Sequence, residues 1–192
     1  NNLLTSIDVS NNTALTHLET GGNQLSVVNV SNLTALSVFN CFNNQITSLD
    51  FSNNPSLYLV DCAGNDLSTL DFSNNPNLGI LYAENNLLTA LDLSINTALV
   101  NLRCFNNQLV NLNIKNGNNN NLANFIATSN PNLFCIQVDN PAYMNTNWNA
   151  GKDAGALFST NCDPVVGPNA LAFDGTNDFV TVPHSSTLNL LT

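Results

Sequence analysis

Aliphatic residues at Leu4, Leu25, Ile46, Leu67, Leu88 and Leu109 follow one another at intervals of 21 positions. Inside each interval the apolar positions keep fixed offsets. Leu25, Val28, Val30, Leu36, Phe39 and Cys41 lead to Asn44, and Ile46, Leu49, Phe51, Leu57, Val60 and Cys62 lead in the same way to Asn65. The stretch "SLDFSNNPSLYLVDCAGNDL", from Ser48 to Leu67, is nearly repeated as "TLDFSNNPNLGILYAENNLL", from Thr69 to Leu88. A unit this short cannot bury its own apolar face, so the pattern predicts stacked coils that share one continuous core. With strands stacked at roughly 4.8 Å per coil, six or seven coils make a rod or arc on the order of 30 Å long.

The sixth unit is longer: "KNGNNNN", from Lys115 to Asn121, adds residues before Leu122, and Pro131 adds one before Leu133. That lengthening is expected where a solenoid approaches its end. "NNLLTSIDVS" at the start matches "NNLLTALDLS" at Asn85 to Ser94, so the chain is expected to begin in mid-repeat and to be part of something longer.

"LTHLETGGNQL" (Leu15 to Leu25), "LSVFNCFNNQI" (Leu36 to Ile46), "LYLVDCAGNDL" (Leu57 to Leu67) and "LVNLRCFNNQL" (Leu99 to Leu109) resemble the leucine-rich repeat motif, with asparagine at its ninth place. The resemblance covers about Asn1 to Asp163, and the "LxxLDxSNNxxL" variant is similar to repeats of secreted surface proteins from Bacteroidetes and related bacteria. It implies a leucine-rich repeat solenoid with parallel β strands on the concave side and turns and short extended segments on the convex side. Residues 1–132 would form six repeats, and residues 133–163 a C-terminal cap. After a linker at 164–168, "NALAFDGTNDFVTVPHSSTLNL" (Asn169 to Leu190) resembles the opening strands of a laminin-G-like, concanavalin-type β jelly roll, so 169–192 is expected to be the truncated start of such a domain.

About a fifth of the residues are asparagine, and the repeat assigns them places. Asn23, Asn44, Asn65, Asn86, Asn107 and Asn130 share one inward-facing turn position, where an amide can donate to and accept from the backbone of neighbouring coils. They are expected to form a structural ladder. A second set, with Asn11 and Asn12, Asn53 and Asn54, and Asn74 and Asn75, is expected where the chain reverses on the far side, in turns whose left-handed backbone asparagine tolerates.

Alternation along the strands turns three columns outward. They are His17, Val38, Leu59, Ile80, Asn101, Asn124; then Glu19, Asn40, Asp61, Tyr82, Arg103, Ile126; then Gly21, Phe42, Ala63, Glu84, Phe105, Thr128. Apolar and aromatic residues on a solvated face mark a candidate binding surface: Phe42, Tyr82 and Phe105 as anchors, Leu59 and Ile80 beside them, and Asp61, Glu84 and Arg103 as polar contacts. The alternative is that these residues serve β propensity and cross-strand packing. On the opposite side run Asp8, Asn29, Asp50, Asp71, Asp92 and Asn113. Stacked carboxylates repel, and either hydrogen bonds to the following backbone or bridging calcium would relieve them, although no defined calcium loop is present.

Cys41, Cys62 and Cys104 share an inward offset with Ala83 and Ala127 and read as small core residues without a metal. Cys135 and Cys162 flank a non-repeating segment whose Tyr143, Trp148 and Phe158 can cover the open end of the core, which resembles a C-terminal cap. A Cys135–Cys162 disulfide is expected there; it closes a loop of 27 residues, contributes roughly 3 kcal/mol and implies an oxidising, extracellular setting.

Charge narrows the partners. Three Lys and Arg against thirteen Asp and Glu give a net charge of −10, which repels nucleic acid and offers no counterion release. No apolar run has the length of a membrane span. The two histidines, His17 and His184, lie in different modules with no nucleophile or phosphate loop beside them, so no catalytic residue and no cofactor is expected. The expected function is non-enzymatic recognition or adhesion at the bacterial cell surface, with a protein or glycan on the concave face. The alternative is a rigid spacer that presents a downstream laminin-G-like domain.

Overall fold

The computed structural model describes residues 2–162. The linker at 164–168 and the jelly-roll segment at 169–192 lie outside the described residues. Within them the chain winds as a stack of coils that contribute short strands to a six-stranded parallel sheet: β1 (His17–Glu19), β2 (Val38–Asn40), β3 (Leu59–Asp61), β4 (Ile80–Tyr82), β6 (Asn101–Arg103) and β8 (Asn124–Ile126). The middle residue of each strand is buried, and Leu18, Phe39, Val60, Leu81, Leu102 and Phe125 pair in register along the core. One strand residue in three therefore faces inward, as the 21-residue pattern requires.

The opposite side is more regular than turns and extended pieces. β5 (Ala90–Asp92), β7 (Asn111–Asn113), β9 (Cys135–Gln137) and β10 (Leu157–Ser159) form a second parallel sheet, in the order β10-β9-β7-β5. Aromatic rings fill the width between the two sides. Phe51 stacks on Phe72 at 5.5 Å and meets Phe39 edge-on at 5.7 Å, geometries that add to the area each ring buries.

The asparagine ladder at the concave exit is continuous. Asn65 Nδ2 donates to Cys41 O and Cys62 O at 3.1 Å each, and its Oδ1 accepts from Ile46 N–H at 3.0 Å. Asn44, Asn86, Asn107 and Asn130 repeat the arrangement, and Asn23 accepts from Leu4 N–H at 3.3 Å and donates to Thr20 O at 2.9 Å. The residue just before each ladder asparagine has the left-handed backbone: Gly22, Asn43, Gly64, Asn85, Asn106 and Ser129, with φ between 50° and 68°.

That placement corrects the expectation for the second set of asparagines. Asn53, Asn54, Asn74 and Asn75 are not in left-handed turns. Asn54, Asn75 and Asn96 are instead fully buried and form a second ladder on the convex side. Asn75 Nδ2 donates to Phe51 O and Asn54 O, and Asn96 Nδ2 to Phe72 O and Asn75 O. The convex turns close with backbone bonds such as Asn54 N–H to Phe51 O and Leu57 N–H to Asn54 O, so no left-handed residue is needed. Asn11 and Asn12 are exposed.

The C-terminal segment closes the core. Helix α1 (Pro141–Asn147) buries Met144, Phe158 packs against Phe125 at 5.9 Å, and Tyr143 and Trp148 lie half-buried against the same cluster. Cys135 and Cys162 form a disulfide. Two carboxylates stand in for a missing next coil: Asp153 accepts from Ser129 N–H and Asn130 N–H at 2.9 and 2.7 Å, and Asp139 accepts from Gly117 N–H and Asn119 N–H at 3.0 and 3.3 Å. In earlier coils the matching N–H groups, such as Asn43 and Asn44, donate to carbonyls of the following coil.

Candidate functional site

The outward columns lie on the six-stranded sheet with their partners in register: Leu59 beside Ile80 and Asn101, and Asn40, Asp61, Tyr82, Arg103 and Ile126 side by side. Arg103 organises the centre. Its Nη2 lies 2.7 Å from Glu84 Oε1, and its guanidinium sits 5.4 Å from the ring centroids of both Tyr82 and Phe105. Guanidinium planes stack on aromatic faces at such distances. Tyr82 and Phe105 are therefore half-buried walls of an arginine slot, each with a face already occupied.

The slot explains why Glu84 can be buried. It is only 6% exposed, and burial pushes its carboxyl above the usual range while Arg103 opposes the shift. One oxygen is paired; Oε2 is buried without a hydrogen-bond partner, as is Arg103 Nε. Asp61 is half-buried on the neighbouring strand, its Oδ1 accepting from Ala63 N–H at 3.2 Å. Burial raises its pKa too, against the pull of that hydrogen bond and of Arg103. Arg103 thus pairs with one of two desolvated carboxylates and attracts the second without pairing it.

Two exposed hydrophobic rings on this side are Phe42, 37% exposed, and Tyr58, 45% exposed. Phe42 covers Gly21 of the preceding coil, and Tyr58 covers Gly79 of the following one, in each case filling the space a Cβ would take. Phe42 was legible from the strand register. Tyr58 lies one residue before its strand and escaped that register; its signal is the glycine one repeat later, which makes room for the ring.

On the convex side the aspartate column is held by local hydrogen bonds. The Oδ1 atoms of Asp8, Asp50, Asp71 and Asp92 accept from the N–H of Ser10, Ser52, Ser73 and Ser94 at 2.8–2.9 Å, and Asn29 and Asn113 do the same. The backbone bonds from the serines hold Asp8, Asp50 and Asp71 below the usual carboxylate range. Cys41, Cys62 and Cys104 are fully buried free thiols, and burial pushes all three upward, away from reactive thiolate character. Among the described residues no helix is long and apolar enough to cross a membrane.

No protein-family profile and no curated protein matches the chain. Solved structures do. The functional domain of InlJ from Listeria monocytogenes, described as including a cysteine ladder, is 28% identical with a TM-score of 0.52, over 71% of this chain and 37% of that one. A leucine-rich repeat protein of Leptospira interrogans is 18% identical with a TM-score of 0.51, over 63% of this chain and 37% of its own. The chain thus matches little more than a third of the length of either structure. Coil period, parallel sheet, asparagine ladder and these neighbours together establish the leucine-rich repeat fold.

Proposed function

We propose that this chain is a non-enzymatic recognition module of an extracellular or cell-surface protein, binding a protein or glycan through the concave sheet. The observation that carries the reading is the arginine slot. A guanidinium paired to a buried carboxylate and flanked by two aromatic rings concentrates on one open face the residue types that dominate binding energy. The solenoid core does not need it, since the strands already bury their middle residues and satisfy their backbones. The disulfide supports an oxidising location, and fold neighbours among bacterial repeat proteins support a recognition role by analogy.

The test is a binding screen of the chain against polysaccharides and surface proteins, run beside a Tyr82→Ala, Phe105→Ala variant. A saturable ligand lost in the variant is the expected result. A ligand retained at full affinity removes the concave slot from the reading and leaves the spacer function.

A further inference from the structure

The cations of this chain are few and unevenly placed. Arg103 is on the concave sheet, whereas Lys115 of the sixth unit bonds Thr160 O of the cap and Lys152, in the cap, lies over Phe158 at 5.5 Å. The concave face carries Glu19, Asp61 and Glu84 against Arg103 alone. Arg103 commits its ion pair to Glu84, so Asp61 has no ion-pair partner among the described residues. Asp61 is half-buried, with Tyr82 beside it in register and Leu59 two residues before it on the same strand. Independently, Glu84 is more than nine-tenths buried on the concave column and its Oε2 is left without a donor.

We infer that the concave face recognises a protein segment that presents an arginine or lysine side chain to Asp61. The inference rests on the reading of this face as the binding surface and adds the chemistry of the partner. Electrostatic complementarity carries it: a desolvated carboxylate cluster one cation short, on a chain of net charge −10, attracts a positive group and repels an acidic one. The apolar and aromatic frame of Leu59, Ile80, Tyr82 and Phe42 gives the methylene stem of such a side chain a surface to lie along. A neutral oligosaccharide would bring hydroxyl donors but no countercharge to the carboxylate.

Asp61→Asn tests this without disturbing the strand, because Asn40 one coil earlier already accepts Phe42 N–H through Oδ1 at 3.2 Å, as Asp61 accepts Ala63 N–H. The full chain, labelled with nitrogen-15, is titrated with three probes: a capped pentapeptide alternating glycine and arginine, its glutamate counterpart, and cellohexaose. The expected result is perturbation by the arginine peptide of amides in residues 59–63, 80–84 and 101–105. That perturbation should weaken with added salt, fall about tenfold in apparent affinity in Asp61→Asn, and persist in the convex control Asp71→Asn. Concave perturbation by cellohexaose or the glutamate peptide, with none by the arginine peptide, overturns the inference and leaves the concave surface standing. Arginine-peptide shifts confined to the convex amides overturn both. Equal affinity in Asp61→Asn, or no response to any probe, overturns the inference.

Discussion

Two columns of asparagine run along the solenoid, one at the exit of the concave sheet and one on the convex side, and only the first uses both ends of the amide. Asn86 Oδ1 accepts from Leu67 N–H at 3.0 Å while its Nδ2 reaches Cys62 O, Ala83 O and Glu84 O. Asn75 donates to Phe51 O and Asn54 O, yet its Oδ1 is buried without a partner, as in Asn54 and Asn96. The carbonyls it serves also accept backbone N–H bonds from Asn54 and Leu57. Burial is thus similar while necessity differs. The first column pairs N–H groups that the coil geometry strands; the second adds a further bond to carbonyls already engaged. The chain shows the consequence in Leu33, an apolar residue at the second column's position and fully buried.

Substituting leucine in each column breaks or sharpens the comparison. Asn86→Leu orphans Leu67 N–H and removes the acceptor bridge between coils, an expected loss of about 3–5 kcal/mol. Chemical denaturation followed by circular dichroism reads it directly. Asn75→Leu is expected within about 1 kcal/mol of the parent, because losing two bonds is offset by removing a buried unpaired oxygen. Equal losses at the two positions would show that burial, and not pairing, sets the cost.

Between those extremes stands the end of the stack, where no following coil supplies carbonyls. Removing the Cys135–Cys162 bridge by a double change to serine is expected to cost roughly 3 kcal/mol for its 27-residue separation. Asp153→Ala leaves Ser129 and Asn130 N–H groups without their acceptor and is expected to cost about 2 kcal/mol. Its signature is local: amide exchange should accelerate at those two residues before the rest of the ladder loosens.

Much of this was legible in the sequence because repetition samples each position several times. Five asparagines at a spacing of 21, continued by Asn130 after the lengthened sixth unit, mark the concave ladder, and inward cysteines matching Ala83 and Ala127 mark small core positions. The second ladder was hidden because Asn54 and Asn75 sit in "SNNP" stretches, which carry the local signature of a turn, Asn96 sits in a different stretch, "SINT", and Leu33 interrupts the column. Burial of Asn54 and Asn75 follows from coil stacking, a tertiary fact. The cap carboxylates were illegible for the opposite reason: Asp139 and Asp153 each occur once, outside the period. On the concave face the register placed Phe42, Leu59, Asp61, Ile80, Tyr82, Glu84, Arg103 and Phe105 on one surface, but the stacking of Arg103 between two rings depends on side-chain packing that no spacing encodes.

The smallest effects separate the two faces by the sign of their pH dependence. Convex Asp50 and Asp71 are held below the usual carboxylate range by serine N–H groups, so their contribution is present above the unfolded pKa and fades as pH falls through the folded one. Concave Asp61 and Glu84 are raised by burial, so the folded state holds their protons more tightly and stability declines as pH rises from the ordinary carboxylate value through the raised one. Denaturation midpoints across roughly pH 3 to 8 resolve the two arms. Asp61→Asn is expected to flatten the decline on the rising side. Asp50→Asn with Asp71→Asn is expected to flatten the acid-side loss while leaving the fold intact, since Asn29 and Asn113 already make the same turn bond in that column. If Asp61→Asn altered the acid arm instead, its carboxylate would be stabilised by Arg103 more than it is penalised by burial, and one cation would suffice for both acids.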